Sequence, residues 1–262
     1  MLLTVDIGNS HITLGGYEGD ALRFMAHLVT ETRRTDDQYA IELNDLMTLY
    51  HWNIHDIDGV IICSVVPELC STMKSAVYKV TGVVPMVLGP GIKTGLNILI
   101  DNPAQLGADL VAGAVAAIAK FPLPCIIFDL GTATTISVID KNGNFIGGMI
   151  CAGVGITLEA LTSRTALLPH VSIEKPSAMI GKNSIDSMQS GLVIGTAAML
   201  DGMTERIEKE LGSTASLVAT GGLAPIVTPN CWRDITLCEN LLLDGLKIIY
   251  NKNKKSWKEK IQ

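Results

Sequence analysis

The chain opens as a succession of short apolar blocks punctuated by polar turns. Residues 2 to 29 read as consecutive strands, with Tyr17-Glu-Gly-Asp20 as the hairpin turn between two of them. The period then changes. Thr35-Asp-Asp-Gln38 has the form of a capping box, and Ala40, Leu43, Leu46, Met47 and Tyr50 recur at helical spacing behind it. Gly59 to Val66 is continuous enough in Val and Ile to predict a buried strand, Glu68 to Thr81 a helix stopped by Gly82, and Val83 to Leu88 a further strand. An antiparallel opening is thus followed by strand, helix, strand.

The same order is replayed. Asn102 reads as a cap with Pro103 at the first helical position, predicting a helix to Ala119 whose alanines and Gly113 allow close backbone approach. Ile126 to Asp129 restarts the strand pattern, Lys141-Asn-Gly-Asn144 is a turn, and a third strand runs through Gly147-Gly-Met-Ile150. A long helix over 185 to 211 and the strand and turn Leu217-Val-Ala-Thr-Gly-Gly222 complete the second half. We place a domain boundary near residue 120, giving domains 1–120 and 121–262. Asn240 to Tyr250 carries the apolar stripe of a helix able to pack back across the junction, and Asn251 to Lys258 reads as a solvated end.

Chemistry enters with one motif present in both halves. Asp6-Ile-Gly-Asn-Ser-His-Ile-Thr13 and Asp129-Leu-Gly-Thr-Ala-Thr-Thr135 each set Asp, Gly and small polar residues at a turn between apolar runs. A carboxylate there can hold a hydrated metal ion, glycine admits a phosphate close to the backbone, and Asn, Ser and Thr donate to its oxygens. A single Asp-x-Gly is usually only a β-turn; its recurrence with matched flanks points to two related domains that handle a nucleotide. Gly147 to Gly155, entering a helix from Ile156, either presents amides to an anion or only permits tight strand packing. Arg164 reads equally as a dimer or substrate residue and as a surface ion pair.

Composition narrows the class. With 262 residues, 48% hydrophobic content, 25 glycines and few aromatics, the chain fits an α/β protein with a sizeable core. A formal charge of −6 and no basic stripe before Lys252 argue against nucleic-acid binding, and no apolar run is long enough to span a bilayer. The six cysteines include no C-x-x-C pair and the five histidines no metal-ligand spacing, so zinc chemistry is not expected; reduced, mostly buried thiols suit a cytoplasmic protein.

Asp6-Ile-Gly-Asn-Ser10, Pro90-Gly-Ile-Lys-Thr-Gly95, Asp101-Asn-Pro103, Gly107-Ala-Asp109, Asp129 to Thr135, Ser163-Arg-Thr165 and Thr220-Gly-Gly222, in this order over about residues 2 to 250, together resemble a type III pantothenate kinase. The resemblance implies a duplicated ribonuclease-H-like, actin-like ATPase fold with a nucleotide cleft between two domains. It implies ATP-dependent phosphorylation of pantothenate, the first committed step to coenzyme A, by a cytoplasmic homodimer. By it, Asp6, Ile7, Gly8, Asn9, Ser10, His11, Ile12 and Thr13 would hold the ATP phosphates, with magnesium on Asp6 directly or through water. Thr132 would contact ATP, and Asp129 would bind a monovalent cation, potassium or ammonium. Asp109 would be the catalytic base, and Ile100, Gly107, Ala108, Asp109, Leu110 and Ser184 would contact substrate.

Two residues depart from the family pattern: Leu110 stands where Gly-x-Asp-Arg has arginine, and Ile100 where an aromatic is common. Leucine cannot replace a fork of guanidinium donors. Apart from the resemblance, the residues support a two-domain ATP-dependent phosphotransferase or ATPase. A kinase for another small hydroxylated or carboxylic acid, and a nucleotide-binding regulatory protein without turnover, remain as alternatives. Asp6, Asp109 and Asp129 favour the enzyme; Leu110 and Ile100 favour the regulator.

Overall fold

The computed structural model describes residues 1–261. In chain order the elements are β1 (Leu2–Ile7), β2 (His11–Glu18), β3 (Ala21–Val29), α1 (Asp36–Leu49), β4 (Gly59–Ser64), α2 (Pro67–Thr81), β5 (Met86–Val87), β6 (Asn97–Ile98) and α3 (Ala108–Lys120). There follow β7 (Cys125–Leu130), β8 (Ala133–Ile139), β9 (Asn144–Ala152), α4 (Val154–Arg164), α5 (Ser184–Leu211), β10 (Ser216–Thr220), α6 (Ala224–Val227), β11 (Thr236–Leu237) and α7 (Leu241–Ile261). They form two compact units. The first is made of Met1–Gly95, Ala104–Ala116 and the chain from Leu242; the second is made of Leu96–Pro103 and Ala117–Leu241.

The first unit carries a sheet in the order β3-β2-β1-β4-β5, antiparallel across β1, β2 and β3 and parallel from β1 through β4 to β5. Leu3, Val5 and Ile7 alternate into a core shared with Tyr39, Leu43 and Met47 of α1 and Leu69, Met73 and Val77 of α2. The period-2 and period-3.6 stripes read from the sequence meet there. Thr35 caps α1 in a complete capping box with Gln38, worth about 1 kcal/mol. Gly82 closes α2 in the left-handed conformation, φ 68°.

The second unit repeats this order as β9-β8-β7-β10-β11, with β7, β8 and β9 antiparallel and β7, β10 and β11 parallel; β6 adds an edge strand beside β9. Its core joins Ile126, Phe128 and Leu130 of β7 to Leu158 of α4 and Leu192, Leu200 and Ile207 of α5. The replay inferred from the sequence is therefore a duplicated topology.

Three elements differ from their sequence patterns. The long helix expected from Asn102 begins instead at Ala108, after a separate 3-10 turn over Pro103–Gln105. The strand expected over Val83 to Leu88 shrinks to Met86–Val87. The supposed solvated tail continues α7 to Ile261 and is tied down by polar contacts: buried Asn253 exchanges bonds with the Lys93 backbone at 2.8 and 3.0 Å, and Lys252 Nζ donates to the Thr94 carbonyl at 2.8 Å. Gly245 lets α7 cross α3, since a Cβ there would lie 1.9 Å from the Ala112 carbonyl oxygen.

Candidate active site

In the first unit the site grows from the β1–β2 turn. Gly8 N–H donates to the His11 carbonyl at 3.0 Å, and Thr30 pins the turn from outside, its hydroxyl donating to the Gly8 carbonyl at 2.7 Å and its amide to the Ser10 carbonyl at 3.0 Å. Ile7 and Ile12 point into the core, while Asn9, Ser10 and His11 are exposed at the tip, where donors can meet an anion. Asp6 lies across β1 from Thr13 on β2 and Cys63 on β4, so the three side chains share one face of the sheet. Thr13 Oγ1 is 3.2 Å from His27 Nδ1, which extends the row onto β3.

Cys63 is fully buried and hydrogen-bonds the Asp6 carboxylate. Burial, reinforced by the Asp6 and Asp109 charges, pushes the thiol well above its ordinary pKa, so it is a donor. The sequence places Cys63 only in an apolar strand; the strand register puts it beside Asp6, and no local signal announces that.

Asp109 stands in the first turn of α3, half-buried, with Gly107, Ala108 and Leu110 around it. Its Oδ1 accepts the Leu110 amide at 2.8 Å and lies 2.3 Å from where a Cβ on residue 107 would be, so only glycine lets the carboxylate fold back over its own helix start. Burial raises its pKa above the usual carboxylate range, against the opposing pull of the Leu110 amide. Asp6, Cys63 and Asp109 form one electrostatic cluster within the first unit, since both carboxylates act on the thiol.

The second unit builds a matching row. Thr220 on β10, Asp129 on β7 and Thr135 on β8 are direct cross-strand partners on one sheet face. The turn between β7 and β8 repeats the first, with Gly131 N–H donating to the Ala133 carbonyl at 3.1 Å and Thr132 exposed at its tip. Two glycines hold this corner. A Cβ at Gly153 would meet the Thr132 carbonyl oxygen at 2.0 Å, and one at Gly221, where φ is 90°, would lie 2.6 Å from Asp129 Oδ1. Neither glycine is by itself a site residue in the sequence reading, although Gly221 lies in Thr220-Gly-Gly222 and Gly153 in the run from Gly147 to Gly155.

Ile100 and Ser184 both belong to the second unit; Gly107, Ala108, Asp109 and Leu110 belong to the first. Ser184 opens α5 behind its cap Asn183 and lines a cavity of about 770 Å³. Lys182, Ser184 and Ser187 give that cavity a polar side, and Leu161, Leu168 and Met188 an apolar one. Such a lining suits a small anion with a hydrocarbon portion. Among the described residues no three His, Cys, Asp or Glu side chains cluster as a metal site, and no helix is long and apolar enough to cross a membrane.

A model of the family described as type III pantothenate kinase matches residues 2–206. The type III pantothenate kinase of Halalkalibacterium halodurans is 40% identical over 253 residues, covering 97% of this chain and all of the relative. That of Anaeromyxobacter dehalogenans strain 2CP-C is 42% identical over 255 residues, with the same shares covered. Among solved structures, the activator of the 2-hydroxyisocaproyl-CoA dehydratase from Clostridium difficile superposes with a TM-score of 0.60 at 14% identity, covering 98% of this chain and 97% of that one. A ROK family glucokinase from Streptomyces griseus gives 0.51 at 13% identity, covering 97% and 99%. At such identities the structures speak for the fold alone, and it is that of the actin-like ATPases and sugar kinases.

Proposed function

The chain belongs to the type III pantothenate kinase family, and we propose that it transfers the γ-phosphoryl group of ATP to the hydroxyl of pantothenate, giving 4′-phosphopantothenate and ADP at the entry to coenzyme A synthesis. The observation that carries this reading is identity of 40% over 97% of this chain to a relative of that name.

Transfer to a hydroxyl requires an aligned nucleophile, an acceptor for its proton and neutralisation of charge on the phosphoryl oxygens. Asp109 is the proton acceptor: as the new O–P bond forms and the bond to the leaving β-phosphate oxygen breaks, the hydroxyl proton passes to its carboxylate. Burial suits it, because a carboxyl with raised pKa takes a proton more readily than an exposed one. Asp6 through Thr13 cradle the phosphates with the Gly8 turn and the exposed Asn9, Ser10 and His11, and Thr132 supplies a further contact to ATP. In the first unit Gly107, Ala108 and Leu110, around Asp109, are assigned to substrate contact; in the second unit Ile100 and Ser184 are assigned to it, Ser184 lining its cavity together with Lys182.

One carboxylate beside a glycine turn is the sparse protein contribution that magnesium takes alongside substrate phosphates, so Asp6 fits that ion. Magnesium bound there supplies charge neutralisation at the phosphate oxygens. Asp129 fits a monovalent cation, potassium or ammonium, because the buried Thr135 hydroxyl oxygen on the neighbouring strand has no hydrogen-bond partner among the described residues. A homodimer is supported by the outer face of β9, where Ile146 and Ile150 stand exposed, together with Ile156 in α4. A cytoplasmic location is proposed from the biosynthetic activity of the family.

The test is mass-spectrometric detection of 4′-phosphopantothenate from purified protein, ATP, magnesium and pantothenate, in potassium or ammonium against sodium. Product that depends on the cation is the expected result. Absence of product under every cation, with nucleotide still bound, would refute the assignment.

A further inference from the structure

The two sheets hold equivalent rows whose chemistry has diverged. In the first unit the row is Cys63, Asp6, Thr13 and His27; the thiol donates to the carboxylate, and the threonine hydroxyl is engaged by the imidazole. In the second it is Thr220, Asp129, Thr135 and Ile150. Here the threonine faces an aliphatic neighbour in place of histidine, and its Oγ1 is buried with no hydrogen-bond partner among the described residues.

A buried hydroxyl left in that state is destabilising, and valine has the same shape without the unmet hydroxyl, so a threonine beside a carboxylate calls for a partner. The row also grades outward. Thr220 is 2% exposed and Ile150 is 78% exposed, with Asp129 and Thr135 between them in position and in burial.

We propose that Thr135 is a specificity-determining ligand: its hydroxyl oxygen, with the Asp129 carboxylate, coordinates the monovalent cation. The proposal rests on the cation assignment to Asp129. A neutral oxygen and a single carboxylate make a weak field, suited to a large ion of low charge that sheds its water easily and poorly suited to magnesium, which keeps its waters. In the first row the corresponding hydroxyl, that of Thr13, is instead within hydrogen-bond distance of His27 Nδ1.

Thermal midpoints of the purified full chain, titrated with potassium chloride against sodium and choline chloride at equal ionic strength, test this without reference to turnover. The wild type is expected to show a potassium-specific rise that saturates. Thr135→Val should move the half-saturating potassium concentration up about tenfold, the size of one contact to a charged group, while Thr135→Ser stays within about twofold. Thr135→Ala gives a second hydroxyl-free variant should valine prevent folding. If Thr135→Val or Thr135→Ala keeps the wild-type half-saturation while Asp129→Asn loses the response, the proposal is overturned and the cation assignment stands. If the wild type shows no potassium-specific rise, the assignment to Asp129 falls and the proposal falls with it.

Discussion

Replacing Asp109 by asparagine separates the chemistry of that carboxylate from its structural cost, because the two change in opposite directions. Asparagine keeps the volume and can still accept the Leu110 amide that Oδ1 accepts at 2.8 Å, and Gly107 leaves room for either side chain. What it loses is the ability to take a proton. A positioned base contributes roughly 10² to 10⁴ in rate, equivalent to about 2.7 to 5.4 kcal/mol on the barrier, so turnover should fall by that factor with ATP binding kept. Stability should change the other way. Burial raises the Asp109 pKa, so the folded protein holds this proton to higher pH than the unfolded chain does. Between the ordinary carboxylate value and the raised one, the unfolded state binds fewer protons, stability falls with rising pH, and at neutral pH the whole penalty is present. Asparagine removes that penalty. The variant should melt above wild type at pH 7.5, with the difference closing as pH falls toward about 4. The assay pairs product formation with melting scans from acid to neutral pH. Turnover within tenfold of wild type, or a melting point lowered at every pH, would refute the buried-base reasoning.

Two further expectations follow from neighbouring contacts. Cys63→Ala removes the thiol that donates to Asp6 and should weaken use of magnesium–ATP about fivefold, seen in KM more than in kcat, whereas Cys63→Ser keeps a donor and should remain near wild type; equal KM values for both variants would show that the contact does not orient Asp6. Gly221→Ala forces a Cβ at φ 90° to within 2.6 Å of Asp129 Oδ1 and of the Leu130 carbonyl carbon, combining backbone strain with overpacking for about 3 kcal/mol; a melting point unchanged in that variant would contradict the close approach.

Much of the molecule is legible in local pattern. Alternation and turn residues mark β1 to β3 and β7 to β9, the Thr35 to Gln38 capping box starts α1, Gly82 ends α2, and the recurrence of Asp-x-Gly at residues 6 and 129 exposes the duplication. These features depend on hydrogen bonds and packing within a few residues of each other, so a short window of sequence carries them. The start of α3 misled because Asn102-Pro103 is a good helix start locally, yet the chain turns once and begins again where Asp109 folds over Gly107. The basic stretch after Tyr250 misled because its buried anchor, Asn253, meets the Lys93 backbone 160 residues away.

The sequence by itself determined the class of fold and the two carboxylate turns, which are written in adjacent residues, while Asp109 as the candidate base came from the family resemblance. Only the tertiary structure decided that Cys63 joins Asp6, that Thr220 and Thr135 flank Asp129, that Gly221 and Gly153 close around the second turn, and that residues 104–116 and the chain from Leu242 belong with the first unit. Strand register and helix crossing fix those neighbours, and both are set by contacts between segments that no local stretch of sequence contains.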